Sequence, residues 1–312
     1  PTCGTLDDHL RDVGLVLDKL VEAGLAIKPS KFWLAMKEAP YLGFLVGGGG
    51  TRPQPEKVAA LLDMACEDMA ADPSAAARYS GMIGFYHRYL PGLHSVLAPF
   101  HELKGKGADA RHIMHSLRFK AAFAYSKHQL AAATALARPD YSKPFYIDVD
   151  MASSTGAGAI LSQRDVADDP DSHRVLAFWS RRFSSEERRY GVRDQECMGL
   201  VDSLEVWRHF AVGTRVIVRT DHKSLEWLLT TPHRDGTRVQ GFAHKLQGYN
   251  VEIQYVPGKD HVGADCMSRN MPPASRLSKE GGTERGRLDS RPSIQDRVDE
   301  AVGLTLTANE GM

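Results

Sequence analysis

The sequence predicts an α/β (α+β) protein in which a mixed β-sheet with flanking helices follows a mostly helical region. Two observations predict this class. Residues 140–270 give strand and helix signals in an alternating order that is typical of helices packed against a sheet. Residues 51–139 instead carry amphipathic and alanine-rich patterns that favour helix. The composition, 42% hydrophobic and 25% charged, is that of a globular protein.

The first segment is residues 1–50. It opens with a helix whose apolar residues recur at helical spacing until Gly24 ends it. A strand pair is predicted at about 32–36 and 41–46, followed by the turn "GGGG" at 47–50.

The second segment, residues 51–139, is predicted to hold three helices. One begins at Pro55, a residue suited to a helix N-terminus. A second covers 79–100 with a break at Pro91–Gly92, and a third covers 118–136.

The third segment, residues 140–270, contains the predicted sheet. A long helical stretch at 184–213 separates the third strand from the fourth, and a last helix begins near Ala264. The fourth segment, residues 271–312, lacks an apolar stripe and is predicted to be a flexible tail or linker. The predicted strands cover 143–150, 156–163, 174–183, 215–221 and 250–258.

Bulk charge and cysteine usage restrict the class of protein. Lys and Arg total 39, as do Asp and Glu, so the average charge gives no sign of nucleic-acid binding, although a local basic stripe would suffice. No apolar run is long enough to span a bilayer and no signal peptide is visible. The 4 scattered cysteines indicate reduced thiols, so an intracellular protein, cytoplasmic or nuclear, without membrane contact is expected.

Four acidic residues fall at positions where a sheet edge can gather them. Asp150 and Asp221 each end a predicted strand, and Asp265 opens the last predicted helix. Glu196 heads an apolar helical stripe that must face the sheet, where a carboxylate is costly unless it is paired or bound to a metal.

Two interpretations of these acids remain open from the residues alone. Asp at a strand end is often only a cap or a solvated side chain. If the four converge, however, they form an oxygen-rich site for Mg²⁺, and two such ions about 4 Å apart promote phosphodiester hydrolysis.

Six motifs follow one another between Lys143 and Arg269. They read "KPFYIDVD", "GAILSQ", "FWSRRFSSEERRY", "ECMGLVDSLEVWRHF", "RTDHKSLEWLL" and "VPGKDHVGADCMSR". In this order they resemble a known family, the Pol polyproteins of Ty3/gypsy-type LTR retrotransposons, in the segment that forms their RNase H domain.

The resemblance implies an RNase H-like fold and the hydrolysis of the RNA strand of RNA–DNA hybrids by an endonuclease. The family's catalytic and metal-binding acids fall on Asp150, Glu196, Asp221 and Asp265. Two divalent cations, Mg²⁺ or Mn²⁺, are implied as cofactors.

The resemblance extends upstream and implies the domain order. Residues 1–50 resemble the end of a reverse transcriptase, with Leu42, Gly43 and Phe44 at the tip of the hairpin that grips the primer. Residues 51–139 resemble the thumb and connection. Reverse transcriptase upstream and integrase downstream in a parent polyprotein are the implied protein partners.

Two departures from the family pattern keep an alternative open. The aromatic-x-Asp-Asp hairpin of the polymerase is missing, so no DNA synthesis is expected. "VDMASSTGAG" has one residue more after Asp150 than the family usually has. The alternative is a catalytically inactive remnant that only binds nucleic acid or has a structural role; an integrase or resolvase is less consistent with the motifs.

Residues beside the acids are candidates for contacts with the hybrid, which is held by its backbone and shape. The alternative for each is a solvated surface residue or a helix cap. The candidates are Arg193 and Gln195 before Glu196, and His222 and Lys223 after Asp221. The arginines 181, 182, 188 and 189 form a possible phosphate track, diluted by two glutamates.

Overall fold

The computed structural model describes residues 5–29, 32–34, 36–66, 69, 73–103, 109–151, 156–165, 172–231 and 236–257. By contacts between Cα atoms the chain divides into two units, Pro1–Ala39 and Pro40–Met312. Among the described residues, no helix has the length and apolar character that crossing a bilayer requires.

The first unit contains helix α1 (Leu6–Glu22). The Thr5 hydroxyl accepts from the Asp8 amide, and the Asp8 carboxylate accepts from the Thr5 amide, which satisfies two donors of the first turn. Gly24 follows with a φ of +69°, so it ends the helix as predicted. The strand predicted at 32–36 is wrong, because the described residues of that stretch form no ladder and Phe32, Trp33 and Leu34 are exposed.

Short strands come next. Strand β1 (Glu38–Tyr41) crosses the boundary between the units, and β2 (Phe44–Gly47) pairs antiparallel with β3 (Gly50–Pro53). The glycine run therefore forms the turn of a hairpin, as predicted. The second strand of this hairpin, β3, was not predicted from the sequence. Gly50, with a φ of +120°, would place a Cβ 2.0 Å from the Leu136 carbonyl oxygen, so this position requires glycine.

The helical region has more breaks than predicted. Its second predicted helix, 79–100, begins earlier and ends at Gly84, because two glycines and the turn at Phe85–Tyr86 interrupt it before Pro91. The third predicted helix is confirmed as α7. The helices are α2 (Pro55–Leu62), α3 (Pro73–Gly84), α4 (Leu93–Val96), α5 (Ala98–Glu102), α6 (Ala110–His115) and α7 (Leu117–Ala131), with a 3₁₀ turn at His87–Tyr89.

The helical region packs against one edge of the large sheet. Its core is formed by aromatic and aliphatic side chains that include Tyr79, Phe100 and Phe119. The edge strand β6 (His173–Arg182) contacts this region, and the His94 amide donates to the Ser180 hydroxyl at 3.2 Å.

The large sheet is mixed, which confirms the predicted fold class. Strands β6, β5 and β4 pair antiparallel, whereas β4, β7 and β8 pair parallel, in the order β6-β5-β4-β7-β8. The further strands are β4 (Phe145–Met151), β5 (Gly156–Arg164), β7 (Arg215–Thr220) and β8 (Asn250–Tyr255).

Helices cover one face of this sheet. The stretch predicted as one long helix, 184–213, is a 3₁₀ turn followed by α8 (Val192–Val206) and α9 (Arg208–Ala211). Helix α8 lies on β4 and β5, and α10 (Arg238–Leu246) lies beside α8. The residues after Asp221 form a 3₁₀ segment, Lys223–Trp227. The helix predicted from Ala264 lies outside the described residues.

Gly199 lets α8 approach the sheet closely, and this contact can be tested. Its substitution by alanine would place a Cβ 2.9 Å from the Cβ of Ala157. We expect Gly199→Ala to lower the free energy of unfolding by about 1–3 kcal/mol, because the packed sheet cannot move away.

Gly241 is the matched control, since it also lies within a helix but has open space around its Cα. Gly241→Ala is expected to stabilise the protein by about 0.5–1 kcal/mol through helix propensity. Chemical denaturation of both variants measures the difference, and a stabilising Gly199→Ala would contradict the close approach.

Candidate active site at the carboxyl edge of the sheet

The parallel register of β4 and β7 places Asp150 beside Asp221. Asp148 lies opposite Arg219 in this register. Asp150 follows Asp148 by two residues, and Asp221 follows Arg219 by two residues. Parallel strands present their carboxyl ends at the same edge, so both carboxylates belong to that edge. Asp150 is half-buried there and Asp221 is exposed.

Helix α8 brings Glu196 to the same edge. Glu196 lies one turn before Gly199, whose neighbours across the interface are Val149 and Ala157. Its side chain is only 6% exposed, which confirms that it belongs to the stripe facing the sheet. Backbone packing therefore holds this carboxylate against the ends of β4 and β5.

The three acids interact electrostatically. Burial raises the pKa of the Glu196 carboxyl to about 8, and the charges of Asp221 and then Asp150 raise it as well. The Oε2 atom of Glu196 is buried and has no hydrogen-bond partner among the described residues. A buried carboxylate oxygen without a donor, next to two further carboxylates, has the chemistry of a site for a hard cation.

The described side chains do not, however, form a complete metal site. Within the described ranges, no group of three or more His, Cys, Asp or Glu side chains has an arrangement that could hold a metal ion. Asp265, the fourth predicted acid, lies outside the described residues, as does the segment 152–155 with the additional residue.

The predicted substrate contacts divide into exposed and buried residues. Arg193 and Lys223 are exposed, and His222 is half-buried with its amide donating to the Thr220 hydroxyl. Gln195 is 1% exposed, and its Nε2 atom donates to the Glu187 carbonyl oxygen at 2.9 Å. Gln195 therefore holds a loop to α8, where its side chain cannot reach a substrate.

Arg181 connects β6, the loop after it and α8. Its guanidinium donates two hydrogen bonds to Glu187, at 2.8 and 3.0 Å, and its Nε donates to Asp202. The hydrogen bond from Arg181 lowers the pKa of Glu187. Arg181 is thus committed to protein contacts and is not a member of the phosphate track considered from the sequence. No sequence signal revealed this role, since Asp202 and Arg181 are 21 residues apart.

Of the three residues predicted at the hairpin tip, only Leu42 is exposed, whereas Gly43 and Phe44 are half-buried. Leu42 and Gly43 form the turn, with φ values of +50° and +87°. The Phe44 ring instead stacks on Phe85 and Tyr89, with centroids 4.9 and 5.6 Å away. Leu42 is therefore the side chain that this tip offers to a partner.

Comparison with protein families finds a match for the region that contains most of the large sheet. Residues 140–249 match the RNase H-like domain found in reverse transcriptase. These residues contain the strands β4 to β7 with Asp150, Glu196 and Asp221. The chain therefore carries an RNase H-like domain of the reverse transcriptase class.

The relatives extend this assignment over most of the chain. It is 28% identical over 267 residues to a retrovirus-related Pol polyprotein from transposon 297 of Drosophila melanogaster, covering 85% of the chain and 24% of that polyprotein. It is 25% identical over 292 residues to the transposon Tf2-3 polyprotein of Schizosaccharomyces pombe, covering 93% of the chain and 21% of that protein. The chain is thus similar over most of its length to polyproteins of transposons, in line with the predicted resemblance, and spans less than a quarter of these relatives.

A solved structure supports the fold. The foamy viral protease-reverse transcriptase in complex with an RNA/DNA hybrid matches with a TM-score of 0.64 at 15% identity, covering 94% of this chain and 37% of that one. At this identity the similarity shows the fold alone.

Glu196 gives a testable stability signature. Its folded-state pKa of about 8 exceeds the ordinary value of 4.5, so the folded protein keeps a proton that the unfolded chain releases. Stability is therefore lost as pH rises between these values. In EDTA, Glu196→Gln is expected to raise the melting temperature, by a margin that grows from about pH 5 to about pH 8.

Glu205→Gln provides the control, because Glu205 lies on the same helix but is exposed and pairs with Lys245. Its melting temperature is expected to follow that of the wild type at every pH. A margin for Glu196→Gln that does not change with pH would contradict the raised pKa.

Proposed function

We propose that this chain is a ribonuclease H that hydrolyses the RNA strand of RNA–DNA hybrids endonucleolytically. The observation that supports it most is the meeting of Asp150, Glu196 and Asp221 at one edge of an RNase H-like domain. The Oε2 atom of Glu196 is buried and has no hydrogen-bond partner in the described part of the chain, an arrangement that is costly in a fold and supports a role in binding a ligand.

The proposed cofactors are two Mg²⁺ or Mn²⁺ ions held by Asp150, Glu196, Asp221 and, from the family resemblance, Asp265. When bound, such ions supply an activated water and stabilise the leaving oxygen of the phosphodiester. Glu196, with a pKa of about 8, holds a proton at neutral pH that leaves when its carboxylate becomes a ligand. The β4–β7 ladder ends at the pair Asp148–Arg219, two residues before Asp150 and Asp221, so it brings both acids to the same edge of the sheet.

The proposed substrate contacts come from both sides of the acids. Exposed Arg193, in the first turn of α8, and exposed Lys223, just after Asp221, are placed to bind phosphates. His222 is placed between Asp221 and Lys223, and the Leu42–Gly43 tip is proposed as a more distant contact. The related foamy viral structure holds an RNA/DNA hybrid, which supports this class of substrate.

The proposed context is a longer Pol polyprotein. The relatives are polyproteins of which this chain matches less than a quarter. Reverse transcriptase upstream and integrase downstream are therefore the proposed covalent partners, and the segments 1–50 and 51–139 would connect the polymerase to the nuclease.

Cleavage of an end-labelled RNA–DNA hybrid in Mg²⁺ tests the function. Glu196→Gln and Asp221→Asn are each expected to reduce the rate by more than about 100-fold. Each variant removes a proposed metal ligand, and even the loss of a residue that only orients a ligand costs about 10- to 100-fold. Glu205→Gln, on the same helix, should cleave normally. Full activity in Asp221→Asn would contradict the assignment, and hybrid binding without cleavage by the folded wild type would favour an inactive remnant.

Phosphate contacts have a separate signature. Arg193→Gln and Lys223→Gln are each expected to raise KM for the hybrid while kcat changes little, because they bind substrate and transition state alike. Each loss should also reduce the slope of log affinity against log salt by roughly 1. Lys245→Gln is the control cation, since Lys245 is committed to Glu205. Equal salt slopes in all variants would contradict the proposed contacts.

A further inference from the structure

A buried ion pair lies on β4 and β7, two residues before the acids Asp150 and Asp221. The Arg219 Nη2 atom is 2.6 Å from the Asp148 carboxylate, and the two side chains are 14% and 1% exposed. The pair joins β7 to β4, the two strands that end in Asp221 and Asp150. Neither residue belongs to the proposed metal site.

Other groups hold the same guanidinium in place. The His173 Nε2 atom is 3.1 Å from Arg219 Nη2, a contact in which an unprotonated ring nitrogen accepts. The guanidinium carbon also lies 5.8 Å from the centre of the Tyr146 ring. Arg219 is thus fixed on the sheet face by groups from β4 and β6.

This placement matters because an arginine is a natural competitor of a metal for carboxylates. Its guanidinium is always charged and binds carboxylates in a bidentate fork. Arg219 precedes Asp221 by two residues, a distance of about 6.6 Å along a strand, which is within reach of so long a side chain. If it were released, it would have carboxylates at the sheet edge to bind.

We propose that Asp148 holds the Arg219 guanidinium away from Asp150 and Asp221, so that these carboxylates remain available to a divalent cation. Asp148 is in this view a positioning residue for the metal site, and the inference rests on the proposed function. The structure supports it by the short Asp148–Arg219 contact and by the register that puts both residues two positions before the acids.

The two single variants separate this role from a merely structural one. If the pair only stabilises the sheet, Asp148→Asn and Arg219→Gln should both weaken metal binding by disturbing the strands. If Asp148 restrains a competing cation, Asp148→Asn weakens metal binding, whereas Arg219→Gln leaves it unchanged or tightens it. The double variant Asp148→Asn/Arg219→Gln should then bind metal like the wild type.

The measurement is the rise in melting temperature as MgCl₂ is added, which reports binding without requiring catalysis. We expect Asp148→Asn to need on the order of tenfold more Mg²⁺ for the half-maximal rise, since one uncompensated charge acts near the site. Arg215→Gln/Glu252→Gln is the matched control, because that exposed 2.7 Å pair also starts on β7. It should leave the Mg²⁺ midpoint unchanged.

Each result decides the inference. Weakened binding in both single variants, or an unchanged midpoint in Asp148→Asn beside a responsive wild type, overturns it without touching the proposed function. A wild type whose melting temperature does not respond to Mg²⁺ overturns the metal site itself and the inference with it.

If Asp148→Asn does not fold, two double variants replace it. Asp148→Asn/Arg219→Lys and Asp148→Asn/Arg219→Gln differ in charge at one position. A higher Mg²⁺ midpoint for the lysine variant supports the restraint of a competing cation, and equal midpoints overturn it.

Discussion

The parallel pairing of β4 with β7 is the constraint on which the rest of the site depends. These strands are far apart in sequence, and their ladder brings the strand ends that carry Asp150 and Asp221 to the same edge. Side chains alternate along each strand, so the same register sets which residues face α8 and which meet Arg219 on the opposite face. A slip of one residue would turn Val149 and Val218, both buried, towards the wrong face.

Rigid elements hold Glu196 near Asp150 and Asp221 although this position disfavours its ionised form. Burial and two neighbouring charges disfavour ionised Glu196, yet α8 cannot retreat, since Gly199 packs it directly onto β4 and β5. Arg181 adds a polar connection from β6 to α8 and to the loop that Gln195 also binds. A strongly shifted pKa in a cleft of acidic residues is a feature of functional sites, and it supports the proposal of a divalent cation site at this edge.

Much of this site could be predicted from local sequence patterns. The remainder depends on contacts between residues far apart in sequence, which such patterns do not predict. Helical periodicity predicted that Glu196 faces the sheet, and strand ends predicted the positions of Asp150 and Asp221. The strand predicted at 32–36 was wrong, because a short apolar run does not distinguish a strand from an unpaired segment. Asp148 and Arg219 are 71 residues apart in sequence, and the pairing of their strands is what brings them together.

Gln195 illustrates the same limit at short range. It precedes Glu196 by one residue, and its position alone left a substrate contact and a surface or capping role open. Its partner is a backbone carbonyl of Glu187, whose location depends on the shape of the loop after β6. Side-chain type and spacing carry no information about such a contact.

Anomalous diffraction from crystals grown with Mn²⁺ would test the central claim most directly, since it locates the cation without reference to activity. The account predicts anomalous density within about 2.5 Å of carboxylate oxygens of Asp150, Glu196 and Asp221, with the three side chains drawn towards it. Well-ordered carboxylates that remain apart, with Mn²⁺ bound only elsewhere on the protein, would contradict it.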